Sequence, residues 1–224
     1  MLLAIDTATR TATIALYDQE GGRVPAEESW SCSENHTVEL MPRLVRMMEQ
    51  QGVPVQGLTG VVVSLGPGSF TGLRAGLGVA KGLVVANQTP LVGVPTLEVV
   101  ARPHMGQVLP IWAVCQAGRG RICAAHHVRR RGRWLQLGDY YLVTWGQLCT
   151  EVERPALLCG EIDSRDADSI RDQLGPDVTI ASPAASLRRA AYLAEAGWER
   201  LSRGDSDDPA TLTPIYLQQP KIDE

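Results

Sequence analysis

The stretch from Gly60 to Asn87 constrains the fold more than any other part of the chain. Val61, Val62 and Val63 sit at the centre of an apolar run from Gly60 to Leu65. That is the pattern of a strand buried on both faces of a sheet. Gly66-Pro67-Gly68-Ser69-Phe70-Thr71-Gly72 follows, and a helix from about Phe70 to Asn87 comes next. Strand, glycine turn and helix in that order open an α/β unit. The turn has two readings. Free N–H groups at a helix N-terminus can cradle an anion, or the glycines serve only a tight structural turn. No Gly-Lys-[Ser/Thr] follows, so this is not a Walker A loop, and Thr71 stands where Gly-x-Gly-x-x-Gly needs its third glycine. Ser69 follows Gly68 directly, which excludes a Gly-x-Ser-x-Gly nucleophile elbow.

The same α/β logic extends in both directions. Strands are expected at Leu2 to Ile5, Thr11 to Tyr17 and Glu27 to Ser31, then a helix from about Thr37 to Gln51 with Pro42 kinking it or marking its true start. Leu91 to Val94 reads as a strand and Thr96 to Ala101 as a short helix. Around Pro103 to Gly106 the pattern restarts. Leu109 to Gln116, Arg121 to Val128 and Arg133 to Val143 read as strands, then Trp145 to Glu151 as a helix, Ala156 to Cys159 as a strand, Ser169 to Leu174 as a helix, Val178 to Ala181 as a strand, and Ala185 to Ser202 as a helix carrying Leu187, Ala190, Ala191, Ala194 and Trp198 at helical spacing. A polar tail runs to Glu224. Both halves read βββαβαβα. The expected fold is therefore α/β and two-lobed, of the actin/sugar-kinase/heat-shock-protein (ASKHA) type. Its expected domains are 1–104 and 105–224, the second including the terminal helix and tail.

Composition narrows the function. A net charge of −4 argues against a protein whose main task is gripping nucleic acid backbone. Five cysteines stand at 32, 115, 123, 149 and 159, with no Cys-x-x-Cys pair. That usage suits a reducing compartment. No secretory pattern opens the sequence and no segment has the apolar length of a membrane span. The expectation is a cytoplasmic protein with no membrane partner.

Few residues offer chemistry. Asp6 ends the first strand, where sugar kinases and actins place an aspartate beside nucleotide metal and phosphates. The turn that follows, Asp6-Thr7-Ala8-Thr9, lacks the glycine that lets backbone approach phosphate. A structural turn capped by Asp6 is the competing reading. His126 and His127 are adjacent in a strand and point to opposite faces. His36 and Glu39 could share a helix face but are too few for a metal site. Arg129-Arg130-Arg131-Gly132-Arg133 is a basic cluster at a hairpin tip, either solvated or able to touch nucleic acid phosphates.

Two helices carry the more unusual features. In the first, Val38, Met41, Val45 and Met48 form one apolar stripe and Leu40, Leu44 and Met47 another. Together they cover about half the circumference, wider than one sheet contact needs. In the second, Gly68, Gly72, Gly76 and Ala80 recur every four residues, with Gly78 and Gly82 as a parallel row. Each glycine costs a helix about 1 kcal/mol relative to alanine. A smooth ridge of this kind serves close packing, either on the lobe's own sheet or on another chain.

Several segments resemble motifs of the TsaB (YeaZ) family: Leu3-Ala4-Ile5-Asp6-Thr7-Ala8, His36-Thr37-Val38-Glu39-Leu40-Met41-Pro42, Gly66 through Arg74, Lys81-Gly82-Leu83, and Gly93-Val94-Pro95-Thr96-Leu97-Glu98, with Pro214-Ile215-Tyr216-Leu217 similar to its closing motif. The resemblance is dense over about the first hundred residues and thin afterwards. It implies a non-catalytic scaffold subunit, with no cofactor or metal of its own. Such a subunit pairs with TsaD, the paralogue that transfers a threonylcarbamoyl group to the adenosine beside the anticodon of tRNA. TsaE joins as a third component, and tRNA is met through the complex. The family also forms homodimers through its first two helices, and the same surface receives TsaD. On that footing Leu40, Leu44, Met47, Gly72, Leu73, Gly76 and Ala80 are the expected partner-binding residues. TsaD-like proteins bind metal through His-x-x-x-His, which this sequence lacks. One departure stands in the second lobe, where the family reads Asp-Ala-Arg and this chain reads Gln116-Ala117-Gly118-Arg119. The alternative function is an ATP-dependent phosphotransferase of sugar-kinase type, motivated by Asp6 and the Gly66 loop. An old peptidase label attached to the family finds no nucleophile–base pair here.

Overall fold

The computed structural model describes residues 1–32 and 36–217. The chain divides into two compact units, Met1–Val99 with Arg188–Pro214, and Val100–Leu187 with 215–217 of the described residues. In the first unit the elements are β1 (Leu2–Asp6), β2 (Thr11–Asp18), β3 (Arg23–Ser31), α1 (His36–Gln50), β4 (Gly60–Ser64), α2 (Phe70–Asn87), β5 (Leu91–Val94) and the start of α3 (Thr96–Ala101). The second holds β6 (Ile111–Gly118), β7 (Arg121–Arg130), β8 (Arg133–Val143), α4 (Trp145–Glu151), β9 (Ala156–Gly160), α5 (Ser164–Leu174) and β10 (Val178–Ile180). The last helix, α6 (Ala190–Leu201), belongs to the first unit.

Each unit has a five-stranded mixed sheet of matching topology, β3-β2-β1-β4-β5 and β8-β7-β6-β9-β10. β1 pairs antiparallel with β2 and parallel with β4, and β6 does the same with β7 and β9. The element order read from the sequence, βββαβαβα in each half, is present along the chain.

Strand alternation divides the first unit's core into two layers. Leu3, Ile5, Val61 and Val63 face a cluster containing Leu40, Leu44 and Met47 of α1 and Leu77, Ala80 and Val84 of α2. Ala4, Ala15, Val62 and Val92 face the other way, against Ala190, Leu193 and Ala194 of α6. Small side chains on this second face let α6 come close. A Cβ on Gly197 would lie 2.3 Å from Val62 Cγ2. In the second unit Trp112, Val114, Ile122, Ala124 and Leu158 pack with Leu148 of α4 and Ile170 and Leu174 of α5.

Several expectations change. The boundary lies inside α3, between Val99 and Val100, rather than at 104/105. The terminal helix does not join the second lobe, because its alanine-rich face matches the small residues on the first sheet. It also begins at Ala190, not Ala185. Arg188 and Arg189 are held short of the helix by Asp6 and Glu27, and Leu187, read as part of the helix's apolar spacing, precedes the helix and is 44% exposed. β3 starts four residues earlier than expected; as an edge strand it tolerates Pro25. α5 starts at Ser164, capped by the Asp163 carboxylate on the Asp166 N–H. Pro42 neither starts nor ends α1, which runs through it. The polar tail beyond 217 and the side chain of His36 lie outside the described residues.

Candidate functional site: a closed carboxylate corner and an exposed helix pair

Asp6 ends β1 fully buried, and its carboxylate is occupied on both oxygens. Oδ1 accepts from the Ala8 N–H at 2.9 Å and from Ser64 Oγ at 2.9 Å. Oδ2 accepts from Arg188 Nε at 2.9 Å, and the same guanidinium donates to the Thr11 carbonyl at 2.6 Å. Arg188 is itself buried. A positive charge from the chain thus stands against this carboxylate.

The glycine loop is closed in the same way. Ser69 N–H donates to the Ala8 carbonyl at 2.6 Å, Gly66 N–H to Thr96 Oγ1 at 3.1 Å, and Gly72 N–H to Ser69 Oγ at 3.2 Å as the N-cap of α2. A Cβ on Gly68 would lie 2.2 Å from the Ala8 carbonyl oxygen. Three of the loop's N–H donors are thus bonded within the chain, which favours the tight structural turn of the two readings. Among the described residues no three His, Cys, Asp or Glu side chains are grouped to hold a metal. His126 stacks on Trp112 with ring centroids 4.4 Å apart. His127 is buried, and burial pushes it down to about 4.

The partner-binding residues expected from the sequence are placed differently. Leu40, Leu44, Met47, Gly72, Leu73, Gly76 and Ala80 are all buried within the chain itself. The Gly72 carbonyl accepts from Thr7 Oγ1 at 2.7 Å, and a Cβ on Gly76 would lie 2.3 Å from that same oxygen. These residues hold the helices on their own sheet. Spacing alone shows two stripes on α1 and two rows on α2, without saying which of each faces the core.

The other stripe, apart from Met48, which is buried in the core, and the other row point outward. On α1, Val38, Met41 and Val45 are exposed, at 66%, 39% and 44%. On α2, Val85 is 69% exposed, and Gly78 and Gly82 have nothing within 4 Å of an added Cβ. The two helices pack on each other. Beside the α1 stripe is a depression lined by Val38, Glu39, Pro42, Arg43 and Arg46. Arg43 and Arg46 both bond Glu28 on β3, and the Arg43 guanidinium lies 4.8 Å from the Trp30 ring centroid. Burial works against the Glu28 carboxylate, but bonds from both arginines hold it below its ordinary range. An apolar stripe flanked by a fixed charge cluster is the composition of a protein-binding patch.

In the second unit, Gln116 links β6 to the end of β9, its N–H bonding Glu161 Oε2 at 2.9 Å and its side-chain amide the Glu161 carbonyl at 3.1 Å. Among the described residues no helix is long and apolar enough to cross a membrane.

Comparison with known proteins places these features. The family model described as "TsaD: tRNA N6-adenosine threonylcarbamoyltransferase" matches residues 7–140. The tRNA threonylcarbamoyladenosine biosynthesis protein TsaB of Bacillus subtilis is 31% identical over 223 residues, covering 97% of this chain and 93% of the relative. Among solved structures, YeaZ from Pseudomonas aeruginosa superposes with a TM-score of 0.78 at 22% identity, covering 96% of this chain and 99% of that one. A protein from Sinorhizobium meliloti described as a 2-dehydro-3-deoxygalactonokinase superposes at 0.51 with 10% identity, over 98% of this chain and 100% of its own. The fold is therefore the two-lobed sugar-kinase-like one.

Proposed function

Since the chain belongs to the TsaB family of tRNA threonylcarbamoyladenosine biosynthesis proteins, we propose that it serves that pathway as a cytoplasmic subunit without a reaction of its own. It pairs with a TsaD-type threonylcarbamoyltransferase, accepts TsaE as a third component, and self-associates through the same surface when alone. The observation that carries this reading is the exposed stripe of Val38, Met41 and Val45 on α1, together with exposed Gly78, Gly82 and Val85 on α2, the helix α1 packs against. These residues replace the buried set as the proposed contact. The Asp6–Arg188 pair supports the absence of a reaction, because a bound guanidinium competes with any metal-nucleotide for that carboxylate. It also speaks against the phosphotransferase alternative, which tight Mg-ATP binding by the isolated chain would revive.

The test is reconstitution. The purified chain should restore threonylcarbamoyl transfer when added to TsaD, TsaE, tRNA and threonylcarbamoyl-adenylate, and should do nothing with tRNA alone. Val45→Asp puts a charge in the centre of the stripe. It should weaken pairing by about tenfold or more, as hot-spot substitutions do, while leaving the thermal midpoint of the chain unchanged. Full stimulation by this variant at limiting concentration would remove α1 from the interface.

A further inference from the structure

We propose that the tip of the β7–β8 hairpin is a contact for the phosphate backbone of a structured RNA, namely the tRNA acted on by the complex. The choice of RNA rests on the pathway reading above; the anion preference rests on the hairpin itself. Arg129, Arg130, Arg131 and Arg133 are all exposed. Arg131 and Gly132 form the two-residue turn, with φ of 50° and 79°, the positive pair that a tight hairpin turn requires. That turn fixes Arg130 directly opposite Arg133 and Arg129 opposite Trp134. Like charges directly opposite each other on paired strands destabilise the pair. This hairpin keeps such a pair and adds two more guanidinium groups within three residues of it.

The chain does not lack carboxylates to neutralise them. It has 25 acidic residues against 21 basic ones. Several arginines elsewhere are met: Arg23 by Asp18, Arg43 and Arg46 by Glu28, Arg189 by Glu27, and Arg200 by Asp205 and Asp207, and those that are not among the described residues, such as Arg10 and Arg165, stand singly along the sequence. None of the four hairpin arginines is in an ion pair or side-chain hydrogen bond among the described residues. Trp134 is fixed from behind, its Nε1 donating to the Met105 carbonyl at 2.8 Å. The result is a short, conformationally defined rod-end carrying four uncompensated guanidinium groups. Guanidinium forks match phosphate oxygens in geometry, and neutralising phosphates releases condensed counterions. A net acidic chain with one such tip would touch RNA locally without binding it throughout.

The experiment measures binding of bulk tRNA to the reconstituted complex by fluorescence anisotropy between 50 and about 200 mM KCl. It compares the wild-type chain with a variant carrying Arg129→Gln, Arg130→Gln, Arg131→Gln and Arg133→Gln, and with the matching four-lysine variant. Each phosphate contact contributes about 0.7–0.9 to the slope of log affinity against log salt. The glutamine variant should therefore flatten that slope by about 3, and raise the KM for tRNA at low salt by tenfold or more. The lysine variant should keep most of the slope. Complex assembly, followed by sedimentation, should be the same for all three. Equal slopes for wild type and the glutamine variant overturn the proposal. So does binding of wild type to phosphatidylserine vesicles with an unchanged tRNA slope, which would make the tip a lipid contact. A wild-type chain that fails to stimulate transfer at all would instead overturn the pathway reading.

Discussion

Asp6 and Arg188 are separated by 182 positions and meet as a buried pair. The Ala8 N–H bond to Asp6 is a local Asx-type turn, and an Asp followed by Thr-Ala-Thr announces it in the sequence. Its second partner does not announce itself, because nothing near Arg188 distinguishes it from the exposed Arg189 beside it. Removing one member of a buried pair leaves the other charged and unsolvated, at a cost of about 3–5 kcal/mol. Arg188→Met should therefore lower the urea midpoint sharply. Asp6→Asn combined with Arg188→Met should recover much of that loss. A double variant no better than the single would mean that Arg188 acts through its bond to the Thr11 carbonyl instead.

At the scale of elements, α2 shows what periodicity conveys and what it omits. The four-residue recurrence of glycine was legible, and so was the need for some surface to use it. Which row faced inward was not, because both rows are equally smooth. Thr7 decides it: its hydroxyl bonds the Gly72 carbonyl and occupies the space where a Gly76 side chain would be. A bulky residue at Gly76 would therefore damage the fold, not only pairing. Gly78 and Gly82 carry the sharper test. Both are in open space inside a helix. Gly78→Ala and Gly82→Ala should each stabilise the isolated chain by about 0.5–1 kcal/mol. If a partner helix uses the ridge, the double variant should also pair more weakly, as read by sedimentation. Added stability with undiminished pairing would leave the row without an interface role. On α1 the distinction had a faint signal, since the buried stripe is Leu40, Leu44 and Met47 and the exposed one is led by Val38 and Val45.

At the scale of the molecule, the order of elements along both halves was readable because each element's pattern is local. The destination of α6 was not, since an amphipathic helix matches any apolar face of the right width. The match became visible only with Gly197 against Val62 and with Ala190 and Ala194 against Ala4 and Ala15. Gly197→Leu should force α6 off that face at a cost of about 1–3 kcal/mol or more. Hydrogen exchange should then show lost protection in β1, β2 and β4 and unchanged protection in β6, β7 and β9. Equal loss in both sheets would mean that the two units unfold as one. The return of α6 also has a consequence for the making of the protein. A ribosome delivers residues 1–99 first, yet one face of their sheet stays bare, and Asp6 stays without its counter-charge, until the chain beyond Arg188 emerges. Any product of premature termination before that point would display an apolar sheet face, the kind of surface that chaperones and proteases act on. The half of the protein made first is thus the last to be finished.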